Sequence, residues 1–178
     1  MLQALPAASV DPGGFRQAMR QLAGGVCVIT AAHGGARTGM TVTSVLSVAM
    51  DPPELLVSVN QSASSWPVMQ AGRRFGVNVL AGHQGEVAQR FSGQGGLQGE
   101  QRYEGALWQR TADGVWLLDG ALAALACELV DVHHHRGHAL VIGRITGLRI
   151  QPPAHGPLLY WQGGYGGLAS TPTPAQLV

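Results

Sequence analysis

The run from Gly39 to Asn60, GMTVTSVLSVAMDPPELLVSVN, restricts the fold more than any other stretch of the chain. Thr, Ser and Val alternate on both sides of a Pro-Pro break, a pattern that suits strands and gives a helix no continuous apolar face. Its polar positions (Thr41, Thr43, Ser44, Ser47 and Ser58) are hydroxyls, where the solvent face of a sheet ordinarily carries charges. Each hydroxyl is therefore either a satisfied strand residue or part of the wall of a ligand pocket.

The flanking segments extend the antiparallel pattern. Residues 26–32 (VCVITAA) read as a strand, and HGGAR is a glycine turn leading into the Thr/Ser stretch, so the first two strands form a hairpin. RFGVNVLA at 74–81, VWLL, the apolar run at 122–132 and HALVIGRITGLRI at 138–150 add further strands, the last two joined by a turn through the histidines. Helical signals are short. Asp11-Pro12 supplies an N-cap and a first-turn proline, and Phe15, Met19 and Leu22 mark one face of a helix ending at Gly24-Gly25. Ser64 or Ser65 caps a second helix that closes at Gly72, and VAQRF falls in one or two turns ending at Gly93. Residues 93–105, rich in Gly and Gln, are expected to be an irregular loop placed to touch a ligand or partner. Hairpin-linked strands with helices only at the periphery predict a mainly β antiparallel barrel rather than a βαβ sheet. One domain is expected over 11–168, with tails at 1–10 and 169–178.

Composition removes several classes of function. A formal net charge of +1, with no basic run, gives no electrostatic case for nucleic acid or an anionic membrane. All eleven cationic residues are arginine, so there is no lysine for a Schiff base, for pyridoxal phosphate or for a P-loop. Charged residues make up only 12% of the chain, which predicts a surface partly covered by a second copy. Cys27 and Cys127 lie in apolar strands without a C-x-x-C pair and read as core residues in a reducing compartment. With no membrane-length apolar run and no signal-peptide pattern, a cytoplasmic location is expected.

Three motifs bear on chemistry. NQSASSW at 60–66 gathers serines at a helix start, where hydroxyls and free N–H groups suit a phosphate; the same serines equally suit plain capping. Arg37 and Arg90 are placed to complete such an anion site. In VHHHRGH, His133 and His135 share a strand face, but no carboxylate or thiolate stands at matching spacing, so no metal site is expected and a solvated hairpin tip is favoured. His138 opens a strand, as a ligand contact or as a satisfied strand end. Both G-x-S-x-G and the Rossmann fingerprint are missing.

Taken in order, FRQAMRQLAGGVCVIT, the Thr/Ser stretch, SSWPVM, RFGVNVL, VAQRFSG, the strand-opening His138 and PLLYWQGGYGGL resemble the short-chain flavin reductases. These are the reductase components of two-component, flavin-diffusible monooxygenases such as 4-hydroxyphenylacetate and chlorophenol hydroxylases. The resemblance covers roughly 11–168 and implies a Greek-key split β-barrel with peripheral helices, binding FMN or FAD at a homodimer interface. Carried over to this chain, it places Arg37, Gly39, Met40, Thr41, Thr43 and Ser44 in the cofactor-binding set, with the hydroxyls along the ribityl chain and the polar edge of the ring system. Ser58, Val59 and Asn60 follow the same pocket, Ser64 and Ser65 hold the phosphate, and Arg90 and Phe91 flank the flavin. His138, the catalytic candidate, faces the nicotinamide, and Tyr165 closes over both nucleotides. The chain departs from the family at Gly137, which follows Arg136 where a small polar or acidic residue is usual, and at GGYGG, where arginines often surround the tyrosine. No arginine stands clearly for a 2′-phosphate, which leans toward NADH over NADPH.

The implied activity is NADH-dependent flavin reduction that supplies a separate oxygenase. Hydride transfer between two stacked rings needs close positioning and no nucleophile or strong base, and neutral hydroxyls suit the negative charge that reduction brings. Reduction of a corrinoid or ferric complex through bound flavin, and a non-catalytic flavin- or haem-binding module, are the alternatives.

Overall fold

The computed structural model describes residues 10–151 and 156–168; apart from Val10, the two expected tails lie outside the described residues. The first helix, α1 (Pro12–Met19), begins as its sequence predicts: the Asp11 carboxylate accepts from the N–H groups of Gly13 at 2.7 Å and Gly14 at 3.0 Å. It ends at Met19 instead of running to Gly24, because Gly24–Gly25 becomes the short strand β1. There the backbone passes so close to Thr43 that a Cβ on Gly24 would lie 2.8 Å from the Thr43 Cβ. None of the apolar face of α1 is buried; Phe15, Met19 and Leu22 all stay exposed.

The sheet strands follow as β2 (Cys27–His33), β3 (Ala36–Val42), β4 (Val45–Met50) and β5 (Pro53–Asn60). Then come α2 (Ser65–Gly72), β6 (Arg74–Val79), α3 (Gly85–Phe91), and a small hairpin of β7 (Trp108–Arg110) and β8 (Trp116–Leu118). The long pair β9 (Ala123–His135) and β10 (His138–Ile150) precedes a final hairpin of β11 (Leu159–Trp161) and β12 (Gly164–Gly166). Seven strands form one antiparallel sheet in the order β3-β2-β6-β9-β10-β5-β4, while β1, β11 and β12 form a separate three-stranded sheet. As expected, β2 and β3 are a hairpin through the glycine turn, and the Pro-Pro break joins β4 to β5.

Strands β3 and β4 are consecutive in the chain yet occupy opposite edges of the seven-stranded sheet, separated by only Thr43 and Ser44. From Val42 to Val45 the chain has three Cα steps, which span at most about 11 Å. The sheet must therefore coil until its two edges nearly meet. No ladder bonds join β3 to β4, so among the described residues the coil is split and not a closed barrel.

Both faces of β2 are covered, which explains its unbroken apolar sequence. Cys27, Ile29 and Ala31 point into an inner core with Val57, Val59, Met69, Phe75, Cys127, Leu129 and Val141. Val26 and Val28 point outward into a second core with Leu80, Phe91, Tyr103, Leu117 and Leu158. Two buried polar side chains here are satisfied: Asn78 donates to the Val28 carbonyl at 3.0 Å and accepts from the Leu118 N–H at 2.7 Å, and Thr30 donates to the Trp116 carbonyl at 2.5 Å.

Residues 93–105 are more ordered than their composition suggests. Two short 3₁₀ turns, Gln94–Gly96 and Gly99–Tyr103, run through the segment, and the second packs against β3. They are pinned by the buried Tyr103, whose hydroxyl donates to the Thr38 carbonyl at 2.7 Å and whose ring packs on Phe91, Trp108 and Trp116.

Burial pushes the Cys27 thiol from its ordinary 9.0 up to about 11 and that of Cys127 up to about 12. The folded state thus keeps protons that the unfolded state releases above pH 9, so this share of stability is complete below pH 9 and is lost as pH rises through 11 to 12. Native protein at pH 8 is expected to leave both thiols unreactive toward a disulfide reagent until denaturant is added. Urea midpoints should fall from pH 9 upward, and less steeply in Cys127→Ala.

Candidate functional site

The split between β3 and β4 is where the hydroxyls gather. An open groove of about 430 Å³ is walled on one side by Met40, Thr41, Val42, Thr43 and Ser44 and on the other by Ser58, Asn60, Ala63 and His138. The far wall follows from strand register: β5 ends beside the start of β10, so Asn60 lies opposite His138. Period-two alternation then turns Ser58 and Asn60 to one face and Val59 to the other, where it is fully buried in the inner core. Among the described residues, no carboxylate or guanidinium lines the groove, and His138 is the one titratable side chain that does.

Several groove groups are already engaged. Ser44 Oγ donates to the Ser58 carbonyl at 3.0 Å and the Ser58 N–H donates to the Ser44 carbonyl at 3.3 Å, stitching β4 to β5 where the chain changes edge. Thr41 Oγ1 donates to the Ala88 carbonyl at 2.6 Å, fastening α3 to β3. Asn60 Oδ1 accepts from the N–H and the hydroxyl of Ser62, both at 2.9 Å, which leaves its amide NH₂ to spare. The hydroxyls of Thr43 and Ser58 have no protein partner among the described residues. Those two hydroxyls, one amide and the backbone of a strand edge form a neutral, hydrogen-bonding surface suited to a planar polar ring.

At the start of α2 the two serines diverge. Ser64 holds the N-cap position but has helical dihedrals and makes no capping bond, so the expected cap does not form; its side chain is exposed. Ser65 is buried, with its hydroxyl 3.7 Å from the Met40 sulfur. Tyr165 stands across the Thr41–Thr43 segment in an adjoining hollow of about 210 Å³, its ring 5.4 Å from that of Tyr160. Burial and then Tyr160 push its phenol pKa upward.

Besides Val59, four expected members lie away from the groove. Arg37 is held between the rings of Tyr103 and Trp116, 4.6 Å from each, and pairs with Glu100 at 3.5 Å. Arg90 donates to the Gln101 carbonyl and pairs with Glu104 at 3.1 Å, securing the 3₁₀ segment. Phe91 is buried in the outer core against Tyr103 and Trp108. Gly39 leaves room for that ring: a Cβ there would lie 2.7 Å from Phe91 Cε1. All four depend on Tyr103 and its neighbours, which are distant in sequence and carry no recognisable motif.

Sequence reasoning also overlooked Gln61. Its side-chain amide donates to His134 Nδ1 at 2.5 Å and to the His138 carbonyl at 3.1 Å, and its N–H donates to the Gly137 carbonyl at 2.9 Å. It thereby anchors the β9–β10 turn beside the groove. Its place directly after Asn60 was the available signal. His134 also packs edge-on against Trp66 at 5.9 Å, and among the described residues no three metal-binding side chains converge.

The sequence profile of the flavin reductase like domain matches residues 19–169. This chain belongs to that family. Within it, the chain is 32% identical to a flavin reductase of Pseudomonas putida over 163 residues, 91% of this chain and 93% of the relative. It is 34% identical to the 4-hydroxyphenylacetate 3-monooxygenase reductase component of Salmonella typhimurium, covering 83% and 86% of the two chains. The fold superposes with a TM-score of 0.81 on a Streptomyces globisporus NADH:FAD oxidoreductase solved with NAD and FAD fragments, at 26% identity over 92% of this chain and 98% of that one. In this flavin reductase family member the hydroxyl groove sits at the seam of the split sheet.

Thr43→Val keeps the shape of the groove wall and removes one free hydroxyl. It should weaken flavin binding about threefold to tenfold, the loss of one hydrogen bond, when measured by equilibrium titration. The melting temperature should stay nearly constant, since that hydroxyl makes no protein hydrogen bond among the described residues.

Proposed function

We propose that this protein is an NADH-dependent flavin reductase that passes reduced FMN or FAD to a separate oxygenase. The observation that carries the reading is the neutral groove in a chain of this family: free hydroxyl, amide and backbone groups, with no charge to oppose electron density arriving on a bound ring. A relative named as a monooxygenase reductase component and a structural neighbour holding NAD and FAD fragments support it.

The residues present fit a flavin, and the bound flavin supplies the hydride-accepting ring. In this reading Thr43, Ser58 and Asn60 hold its polar edge, Met40 and Thr41 support it, and the exposed Ser64 meets the phosphate with Ser65 behind it. His138, fixed through its backbone by Gln61 and the β5 ladder, orients the nicotinamide, and Tyr165 covers the far end. Arg37, Arg90, Phe91, Val59 and Gly39 act on the flavin only by holding the walls in place. The two unbonded, buried cysteines support a reducing, cytoplasmic setting.

The working unit in this proposal is a homodimer. On the edge strand β4, Leu46, Val48 and Met50 are all exposed, Met50 at 85%, and Leu148 and Ile150 project from the end of β10. A second copy covering these side chains also closes the open side of the groove.

NADH oxidation followed with and without FMN, FAD or riboflavin tests the activity. Flavin-dependent turnover is expected; tight retention of a coloured cofactor with no NADH consumption would instead mark a non-catalytic binding module. Sedimentation of a Leu46→Glu/Met50→Glu variant checks the assembly: a shift to monomer with weakened flavin binding is expected, and an unshifted dimer places the interface elsewhere.

A further inference from the structure

The hydroxyl groove does not end at Thr43. The same residue, with Tyr160, also lines a larger hollow of about 500 Å³ between α1, the end of β1 and the β11–β12 hairpin. Arg16 on α1 and Arg20 at its C-cap, four residues apart, line that hollow, and among the described residues no acidic side chain does. Arginines of this chain are otherwise mostly engaged: only Arg16, Arg20, Arg110 and Arg136 lack an ion pair or side-chain hydrogen bond among the described residues. Two of those four therefore share one wall of a cavity that adjoins the candidate flavin site. The same hollow is lined by Trp161, 54% exposed, and Tyr160, 38% exposed. Helix α1 is held in register with this hairpin: the Gln162 N–H donates to the Arg20 carbonyl at 3.2 Å, and the Gln162 side chain donates to Gln21 Oε1 at 2.9 Å.

Two unpaired guanidiniums lining one hollow with exposed aromatic rings match an adenosine diphosphate group, with pyrophosphate on the arginines and adenine stacked on Trp161. We infer that Arg16, Arg20 and Trp161 bind the ADP half of a dinucleotide whose reactive ring lies in the hydroxyl groove. The choice of ring rests on the reductase reading. The ADP chemistry occurs in both FAD and NADH. A flavin whose phosphate meets Ser64 leaves the arginines to NADH, whereas FAD seated on the arginines takes its pyrophosphate away from Ser64. Comparing each dinucleotide with its truncated form decides the source.

Equilibrium titrations of wild type and Arg16→Gln/Arg20→Gln with FAD, riboflavin, NADH and reduced nicotinamide mononucleotide test this site. If the flavin supplies the ADP half, the double variant loses about fivefold or more in FAD affinity and keeps riboflavin affinity, as loss of two exposed charge contacts predicts. If the nicotinamide supplies it, NADH affinity falls likewise and that of the mononucleotide holds. Trp161→Ala should weaken the same dinucleotide, and Arg16→Lys/Arg20→Lys should retain most of its affinity. Unchanged affinity for both dinucleotides, equal losses for the truncated ligands, or no dinucleotide binding by the wild type would overturn the inference. A wild type that binds riboflavin and dinucleotide but consumes no NADH sinks the reductase reading and leaves this site standing.

Discussion

Everything in the fold answers to the two residues between β3 and β4. Thr43 and Ser44 carry the chain from one edge of a seven-stranded sheet to the other, across no more than about 11 Å. Such a short bridge forces the sheet to coil around the inner core and holds its two edges close. It does not bring them into a ladder, so hydroxyls and backbone groups on both sides of the seam stay available. Ordinarily an open sheet edge is a liability; here it forms the wall of a groove. Ser44 and Ser58 exchange the bonds that keep that seam in shape.

A second division of labour separates charge from chemistry. Among the described residues no carboxylate or guanidinium lines the groove, while the arginines work elsewhere. Arg37 lies between two aromatic rings, Arg90 and Arg102 fasten the 3₁₀ segment, and Arg149 ties the β7–β8 hairpin to the end of β10. Guanidinium suits these posts because its planar fork satisfies several carbonyls and stacks on rings in one geometry. A chain without lysine thus spends most of its positive charge on architecture, which sets Arg16 and Arg20 apart.

Legibility in the sequence tracked the range of the interaction. Strand identity, the β2–β3 hairpin, the Pro-Pro turn and the Asp11 cap are governed by neighbours within a few residues, and each was readable. The convergence of Thr43, Ser58, Asn60 and His138 was reached through an ordered set of motifs resembling a known family, since spacing alone left each hydroxyl with two roles. The end of α1 was misjudged because Gly24 answers to Thr43 and to the β11 strand, not to its own helix. The 93–105 segment looked loose because its anchor, Tyr103, is a single residue whose partners lie far away in the chain.

By itself the sequence determined an antiparallel, mainly β chain with short helices, no lysine chemistry and a stretch of hydroxyls where charges are usual, because alternation, turn residues and composition are local properties. Only the tertiary structure decided which hydroxyls face open space. In the groove, Thr41 is consumed by α3 and Ser44 by β5, Ser65 is buried beside Met40, and the hydroxyls of Thr43 and Ser58 remain. Sequence spacing cannot make that distinction, since whether a donor is free depends on what coiling of the sheet brings against it.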